Sequence, residues 1–168
     1  DVNKITVHMS ELAIRQASKP NVTNLNAAMG STQFGVALAL ETGGNGLRDY
    51  WSGYENKNVH EVAANKVTLV AEKEFGLTGR QAIVEIDTKD GRHLRLRSEE
   101  PRGEPTNPLT EDELERKFIG LASMVMKDEA AVRAISQRVM AMDKEANEGE
   151  ISAMTVATDG KPPLLAAA

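Results

Sequence analysis

The chain has no cysteine among its 168 residues. That excludes disulfides, thiolate zinc sites and a cysteine nucleophile. It fits a reducing setting, and a cytoplasmic location is the expectation. Aromatic residues are scarce: one Trp, two Tyr and three Phe. A platform for stacking nucleic-acid bases needs more. Positive charge is not in excess either. The net charge is −5, and Lys and Arg are dispersed with no basic stripe, so nucleic acid is not an expected partner. Long apolar runs are missing: the longest, Gly35–Leu40, is far too short to span a bilayer, and no membrane partner is expected. The opening Asp1-Val2-Asn3-Lys4 leads straight into a strand-like pattern, without the charged and apolar regions of a signal peptide.

What is present suits a globular chain. Hydrophobic residues make up 40% and charged residues 27%, enough for a core and a soluble surface. The length suits one domain, or one and a fraction. Ile5, Val7 and Met9 alternate with Lys4, Thr6 and His8, which predicts a first strand over Val2–Met9 with one buried face. Ser10–Val22 reads as a loop or short helix. Asn24–Glu41, rich in Ala and Leu, reads as a helix ended by Gly43-Gly44. Asn45–Asn58 reads as a turn-rich segment carrying Tyr50, Trp51 and Tyr54. Val59–Asn65 reads as one or two helical turns.

Three strands are expected next, over Lys66–Glu72, Gln81–Thr88 and Arg92–Ser98. The last two form a hairpin whose register follows from its side chains. A two-residue Asp90-Gly91 turn would set Ile86 against Arg95. A three-residue loop, Lys89-Asp90-Gly91, pairs Ile86 with Leu94 and Val84 with Leu96. It also pairs Glu85 with Arg95 and Asp87 with His93. Only the second register separates apolar from charged faces, and it puts Gly91 in the left-handed position of a bulge.

Pro101–Phe118, PRGEPTNPLTEDELERKF, is a rigid loop running into a capped helix. Pro101, Pro105 and Pro108 fix three φ angles. Thr110 with Glu113 forms a capping box, and Leu109 with Leu114 is spaced as a hydrophobic staple. Two helices are expected, over about Glu111–Met126 and Glu129–Lys144. Leu114, Phe118, Leu121 and Val125 share one face of the first; Val132, Ile135, Val139 and Met142 share one face of the second. The short Lys127-Asp128 break makes the pair an αα-hairpin. The remainder, with Pro162-Pro163 and three final alanines, is expected to fray.

The RG-x-P-x-NPL approach to that helix resembles the C-terminal portion of the MmgE/PrpD (2-methylcitrate dehydratase) family, where a G-x-P-x-NPL(S/T)-x-x-E-L-x-x-KF pattern recurs. Ala27–Gly43, AAMGSTQFGVALALETG, resembles the family's A-x-x-S-x-x-Y-x-V-A-x-A-L-x-x-G segment. Val67–Arg95 resembles its strand, strand, DG-turn, strand unit. The likeness covers about residues 2 to 147.

The three histidines, His8, His60 and His93, fit no zincin spacing: His60-Glu61 is followed by Val62-Ala63-Ala64. Surface or satisfied roles are expected for all three. Gly43-Gly44-Asn45-Gly46 lacks the Lys-Ser/Thr of a phosphate loop. Ser31 and Thr32 have the chemistry of helix caps. The resemblance adds that this helix start faces a cleft, where free N–H groups suit a carboxylate. It puts the family's tyrosine, a pocket residue and proton donor, at Phe34, which has no hydroxyl. Arg102, beside Gly103, has two readings: a bidentate carboxylate clamp, or a loop-stabilising ion pair with Glu99, Glu100 or Glu104. Lys117 matches the family's KF pair; its plain reading is a surface lysine with Glu113 as its i−4 partner. Ser31, Phe34 and Arg102 are thus the candidate substrate-facing residues, and no metal ligand is assigned.

The expected fold is α+β: a small antiparallel sheet with covering helices over residues 1–105, an αα-hairpin over 106–148, and a flexible tail over 149–168. The resemblance implies the C-terminal part of a lyase or isomerase of small di- and tricarboxylic acids, working without metal or organic cofactor. Its main acid/base residues would lie upstream, on a helical N-terminal domain or a partner chain, so the chain alone is expected to be inactive. A homo-oligomer is also expected. The alternative is a stand-alone, noncatalytic module that oligomerises or binds a protein.

Overall fold

A computed structural model describes residues 1–144 and 147–156. The chain divides into two compact units, 1–108 and 109 onward. In the first, alternation and β-branched residues give β1 (Val2–Met9), followed by α1 (Glu11–Ala17), α2 (Leu25–Met29), α3 (Thr32–Thr42), α4 (Leu47–Gly53) and α5 (Lys57–Asn65). Then come β2 (Val67–Ala71), β3 (Ala82–Thr88) and β4 (His93–Ser98). The fold is α+β, as the sequence predicts, with an open sheet of order β2-β1-β3-β4.

The sheet is mixed rather than antiparallel. β1 pairs antiparallel with β3 but parallel with β2, Ile5 opposite Val67 and Val7 opposite Leu69. The cause is the connection: a parallel pair needs a long crossover, and the helical stretch between β1 and β2 supplies one. The β3–β4 hairpin adopts the register that segregates the faces, Ile86 with Leu94, Val84 with Leu96, Glu85 with Arg95 and Asp87 with His93. Gly91 has φ of +85°, a backbone state that costs glycine little.

Ile5, Val7 and Val67 point at α3 and α5, where Phe34, Ala37, Leu38, Val59, Val62 and Ala63 close the core. Burying each large apolar side chain contributes about 1.5–3 kcal/mol. The helices cover the β1–β2 side of this face; on β4, Leu94 and Leu96 remain exposed. The opposite face is charged: His8 lies 3.2 Å from Glu72 and 3.4 Å from Glu85, Arg95 is 3.2 Å from Glu85, and His93 is 2.7 Å from Asp87.

Two helical assignments differ from the sequence reading. The helix over Asn24–Glu41 is two, broken at Gly30-Ser31, because Ser31 spends its side chain on capping rather than propagation. The segment called turn-rich holds α4. Its N-terminal N–H, on Gly46, donates to the Asp49 carboxylate at 2.8 Å, and Tyr50 and Gly53 are buried. Tertiary packing, not propensity, makes this helix.

The second unit contains α6 (Glu111–Ala122), α7 (Glu129–Met140) and α8 (Glu148–Met154). Thr110 Oγ1 accepts from the Glu113 N–H at 3.3 Å, and Thr110 N–H donates to the Glu113 carboxylate at 2.8 Å. The capping box is therefore present. Asp128 caps α7 by accepting from Ala130 and Ala131, and α6 packs against α7. α8 falls in the stretch expected to be tail. Asn147 caps it, Glu148 and Glu150 occupy its first turn, and Ile151 is buried. The rest of that expected tail, 157–168, lies outside the described residues. No helix among the described residues is long and apolar enough to cross a membrane.

Candidate functional site

Ser31 is the hinge of the site. Its backbone is extended, at φ −111° and ψ 120°, so it ends the α2 turn and begins α3. Its Oγ accepts from the Phe34 N–H at 3.1 Å and donates to the Lys19 carbonyl at 2.6 Å. The capping expectation thus holds, and the hydroxyl is fully engaged by the fold. Gln33, 4% exposed, completes the clasp. Its Oε1 accepts from the Lys19 N–H at 3.0 Å, and its Nε2 donates to Ser18 Oγ at 3.0 Å. The Ser18-Lys19 turn is thereby fixed against the first turn of α3.

Beside this turn lies a cleft of about 430 Å³, lined by Met29, Ser31, Thr32, Gly35, Asn45 and Tyr50 among others. The Thr32 N–H, in the first turn of α3, donates to no acceptor among the described residues. Free first-turn N–H groups and the helix dipole favour an anion there.

Phe34 does not face this cleft. It is 0% exposed, which corrects the substrate-facing assignment. Its ring stacks on Tyr50 with centroids 5.9 Å apart and planes inclined by 21°, and meets His60 edge-on at 5.1 Å and Tyr54 at 6.2 Å. A phenylalanine has no polar group to satisfy, so full burial costs it nothing. His60 Nε2 is 2.6 Å from the Tyr54 carbonyl oxygen, so this histidine is a packed core-edge residue, as expected.

Tyr50, which sequence reasoning passed over, is the aromatic residue at the cleft. It is 8% exposed, and burial pushes its phenol pKa up. Tyr50 lies on α4 and Tyr54, four residues on, caps the end of that helix in a helical conformation, so the two share a face. That spacing was visible in the sequence, but it carries meaning only once the segment is known to be helical.

Arg102 sits in the loop after β4. Gly103 has φ of +101°, and the Gly103 N–H donates to the Asn107 carbonyl at 2.8 Å. Arg102 Nη1 donates to Asn107 Oδ1 at 2.8 Å, while Asn107 Nδ2 donates to the Glu100 carbonyl at 3.1 Å. The guanidinium thus braces its own loop, through Asn107, and Arg102 is not one of the residues lining the α3 cleft. Glu99 and Glu104, two of its expected partners, pair with Arg97 and Arg80. The structure therefore brings Ser31 and Tyr50 together at one cleft. Lys117 is an exposed residue of α6.

No curated protein matches the chain. The family of the MmgE/PrpD C-terminal domain matches residues 1–142, a span that holds the sheet, the α3 cleft, the Arg102 loop and the α6–α7 pair. The chain belongs to the MmgE/PrpD family, as its C-terminal domain.

Proposed function

We propose that the chain is the C-terminal part of a lyase or isomerase of small di- or tricarboxylic acids, of the 2-methylcitrate dehydratase type. The observation that carries this reading is the family match over residues 1–142. The α3 cleft supports it: an anion-favouring helix start beside a protonated phenol suits a carboxylate. Such reactions remove or deliver a proton next to a carboxylate. Among the described residues the cleft lining includes no His, Asp or Glu that could act as a base. In this reading the acid/base groups come from a helical N-terminal domain or a partner chain, and neither metal nor organic cofactor takes part. The setting is cytoplasmic.

A second reading has one observation in its favour. Leu114, Leu121, Val139 and Met140 of the second unit are all more than two-fifths exposed, and Leu114, Phe118, Val139 and Met140 line an apolar groove of about 290 Å³. Exposed apolar patches mark interfaces. A noncatalytic module that oligomerises through α6 and α7 would use this surface.

Steady-state assay of the chain alone on 2-methylcitrate and citrate tests the first reading. The expected result is no turnover above buffer. A rate well above buffer that Arg102→Ala abolishes would overturn it, because a complete active site would then reside in this chain.

A further inference from the structure

The Gly43-Gly44-Asn45-Gly46 run joins α3 to α4. It is no phosphate loop, but its Asn45-Gly46 step has a chemistry of its own. Of the asparagines in the chain, Asn45 is the one followed by glycine. An asparagine in that setting reacts with its own backbone. The nitrogen of the next residue, once deprotonated, attacks the side-chain Cγ. A C–N bond forms, ammonia leaves, and a five-membered succinimide results. Water then opens one of the two ring carbonyls and leaves aspartate or isoaspartate. A side chain on the next residue crowds the attack, and glycine has none.

Asn45 is exposed, and its side-chain amide makes no hydrogen bond among the described residues. The nitrogen it must meet is held. Gly46 caps α4 at φ −86° and ψ 170°, and its N–H donates to the Asp49 carboxylate at 2.8 Å. The loop is shaped around that carboxylate: a Cβ on Gly44 would collide with Asp49 Oδ2. A carboxylate beside the nitrogen disfavours the amide anion, because like charges repel. Ring closure therefore requires this bond to open. Asp90-Gly91 is the one aspartate–glycine step among the described residues, and it is protected differently. Closure there needs a neutral carboxyl, whereas Thr88 Oγ1 and, at 2.8 Å, Arg92 Nε donate to the Asp90 carboxylate and keep it ionised.

We propose that Asn45 is a site of spontaneous deamidation, guarded by the Gly46–Asp49 hydrogen bond and released when the first turn of α4 opens. Helix ends on the surface open locally at less cost than a core element does, so the rate of conversion reports that opening. The product changes the neighbouring cleft. Asn45 belongs to the lining of the α3 cleft, which includes no Asp or Glu among the described residues. Conversion puts a carboxylate there. Isoaspartate also adds a methylene to the main chain just before the Gly46 cap, which shifts the N–H that Asp49 holds.

The test is timed incubation of the folded chain in mildly alkaline buffer, with peptide mapping by mass spectrometry and enzymatic methylation specific for isoaspartate. The expected result is conversion at Asn45 before any other asparagine, with Asp90 keeping its normal linkage. Asp49→Ala removes the acceptor and should raise the rate at Asn45 about fivefold, the gain in open population on losing one net hydrogen bond. Asp49→Asn keeps an acceptor without the charge and should fall between wild type and Asp49→Ala. Gly46→Ala should slow conversion, since its φ of −86° suits any residue and only the crowding changes. Asn45→Gln should abolish the product at this position. Conversion of another asparagine, or of Asp90, ahead of Asn45 would overturn the site. Equal rates in wild type and both Asp49 variants would overturn the guard, as would acceleration at every asparagine alike, which reads global unfolding rather than opening of α4.

Discussion

Tyr50 stacks on Phe34 with ring centroids 5.9 Å apart and planes inclined by 21°. The stack couples the core to the cleft. Phe34, wholly buried on α3, fixes the ring of Tyr50 on α4, and that ring in turn fixes where its hydroxyl lies against Gly35. By resemblance, the family's tyrosine position is Phe34. In this chain the tyrosine lining the α3 cleft is Tyr50, on α4.

Removal of Phe34 should therefore be costly. Phe34→Ala should destabilise the chain by about 3–5 kcal/mol, the usual range for an aromatic core truncation. Tyr50→Phe should cost less than about 1 kcal/mol, because it deletes an unpartnered hydroxyl and keeps the stack. Denaturant midpoints compare the two. A cost for Phe34→Ala no larger than for Tyr50→Phe would contradict the packing described.

Acid should loosen the first unit through its carboxylates. A hydrogen bond from His8, seconded by one from Arg95, holds the Glu85 carboxyl below its ordinary value of 4.5. Glu99 is likewise lowered, by the Arg97 guanidinium, and Asp90 by Thr88 and then Arg92. A carboxyl whose pKa is depressed on folding adds stability that is fully present above its unfolded pKa and is lost as pH falls through the folded one. Thermal midpoints should thus decline below about pH 4.5, the ordinary Glu value. Glu85→Gln should make that decline shallower. An unchanged acid limb in Glu85→Gln would show that Glu85 does not titrate with folding.

At the start of α6, Thr110→Ala should cost about 1 kcal/mol and Thr110→Gly less. Glu113→Ala should also cost less than Thr110→Ala, since Glu111 and Asp112 still face the helix dipole. Amide exchange in the first turn of α6 reads the effect locally. Equal, near-zero changes for all three variants would mean that the box does not hold the helix end.

Light scattering tests the exposed apolar surface of α6 and α7. The chain should self-associate at tens of micromolar, roughly the regime of a moderate interface. A monomer at that concentration would count against the second reading and against the expected homo-oligomer.

The sequence showed some of this well and some of it not at all. The β3–β4 register was legible because a one-residue slip would have set Ile86 against Arg95, and local side-chain chemistry alone forbids that. The Thr110–Glu113 box and the Ser31 cap were legible for the same reason: each is closed within three residues. The parallel β1–β2 pair was not, because strand pairing across a crossover is decided by how the helices pack. The helix α4 was hidden behind glycines and aromatics that look like a turn until Tyr50 finds Phe34. At the candidate site, residue identity pointed to Ser31 as a cap, and the fold adds that its hydroxyl also donates to the Lys19 carbonyl. Arg102 had a charge that suits a substrate, and its loop geometry turns it to Asn107. Tyr50 could not be singled out, since its partner lies on another helix.

The central claim is that this domain supplies a carboxylate-facing wall and lacks the acid/base machinery. It is tested most directly by joining or adding a helical N-terminal domain of the family to the chain. Formation of the unsaturated product from 2-methylcitrate is then followed by its ultraviolet absorbance. The account predicts no product from either part alone and steady turnover from the two together. Turnover by this chain alone at the rate of the combined protein, or none from the combination while each part is folded, would contradict it.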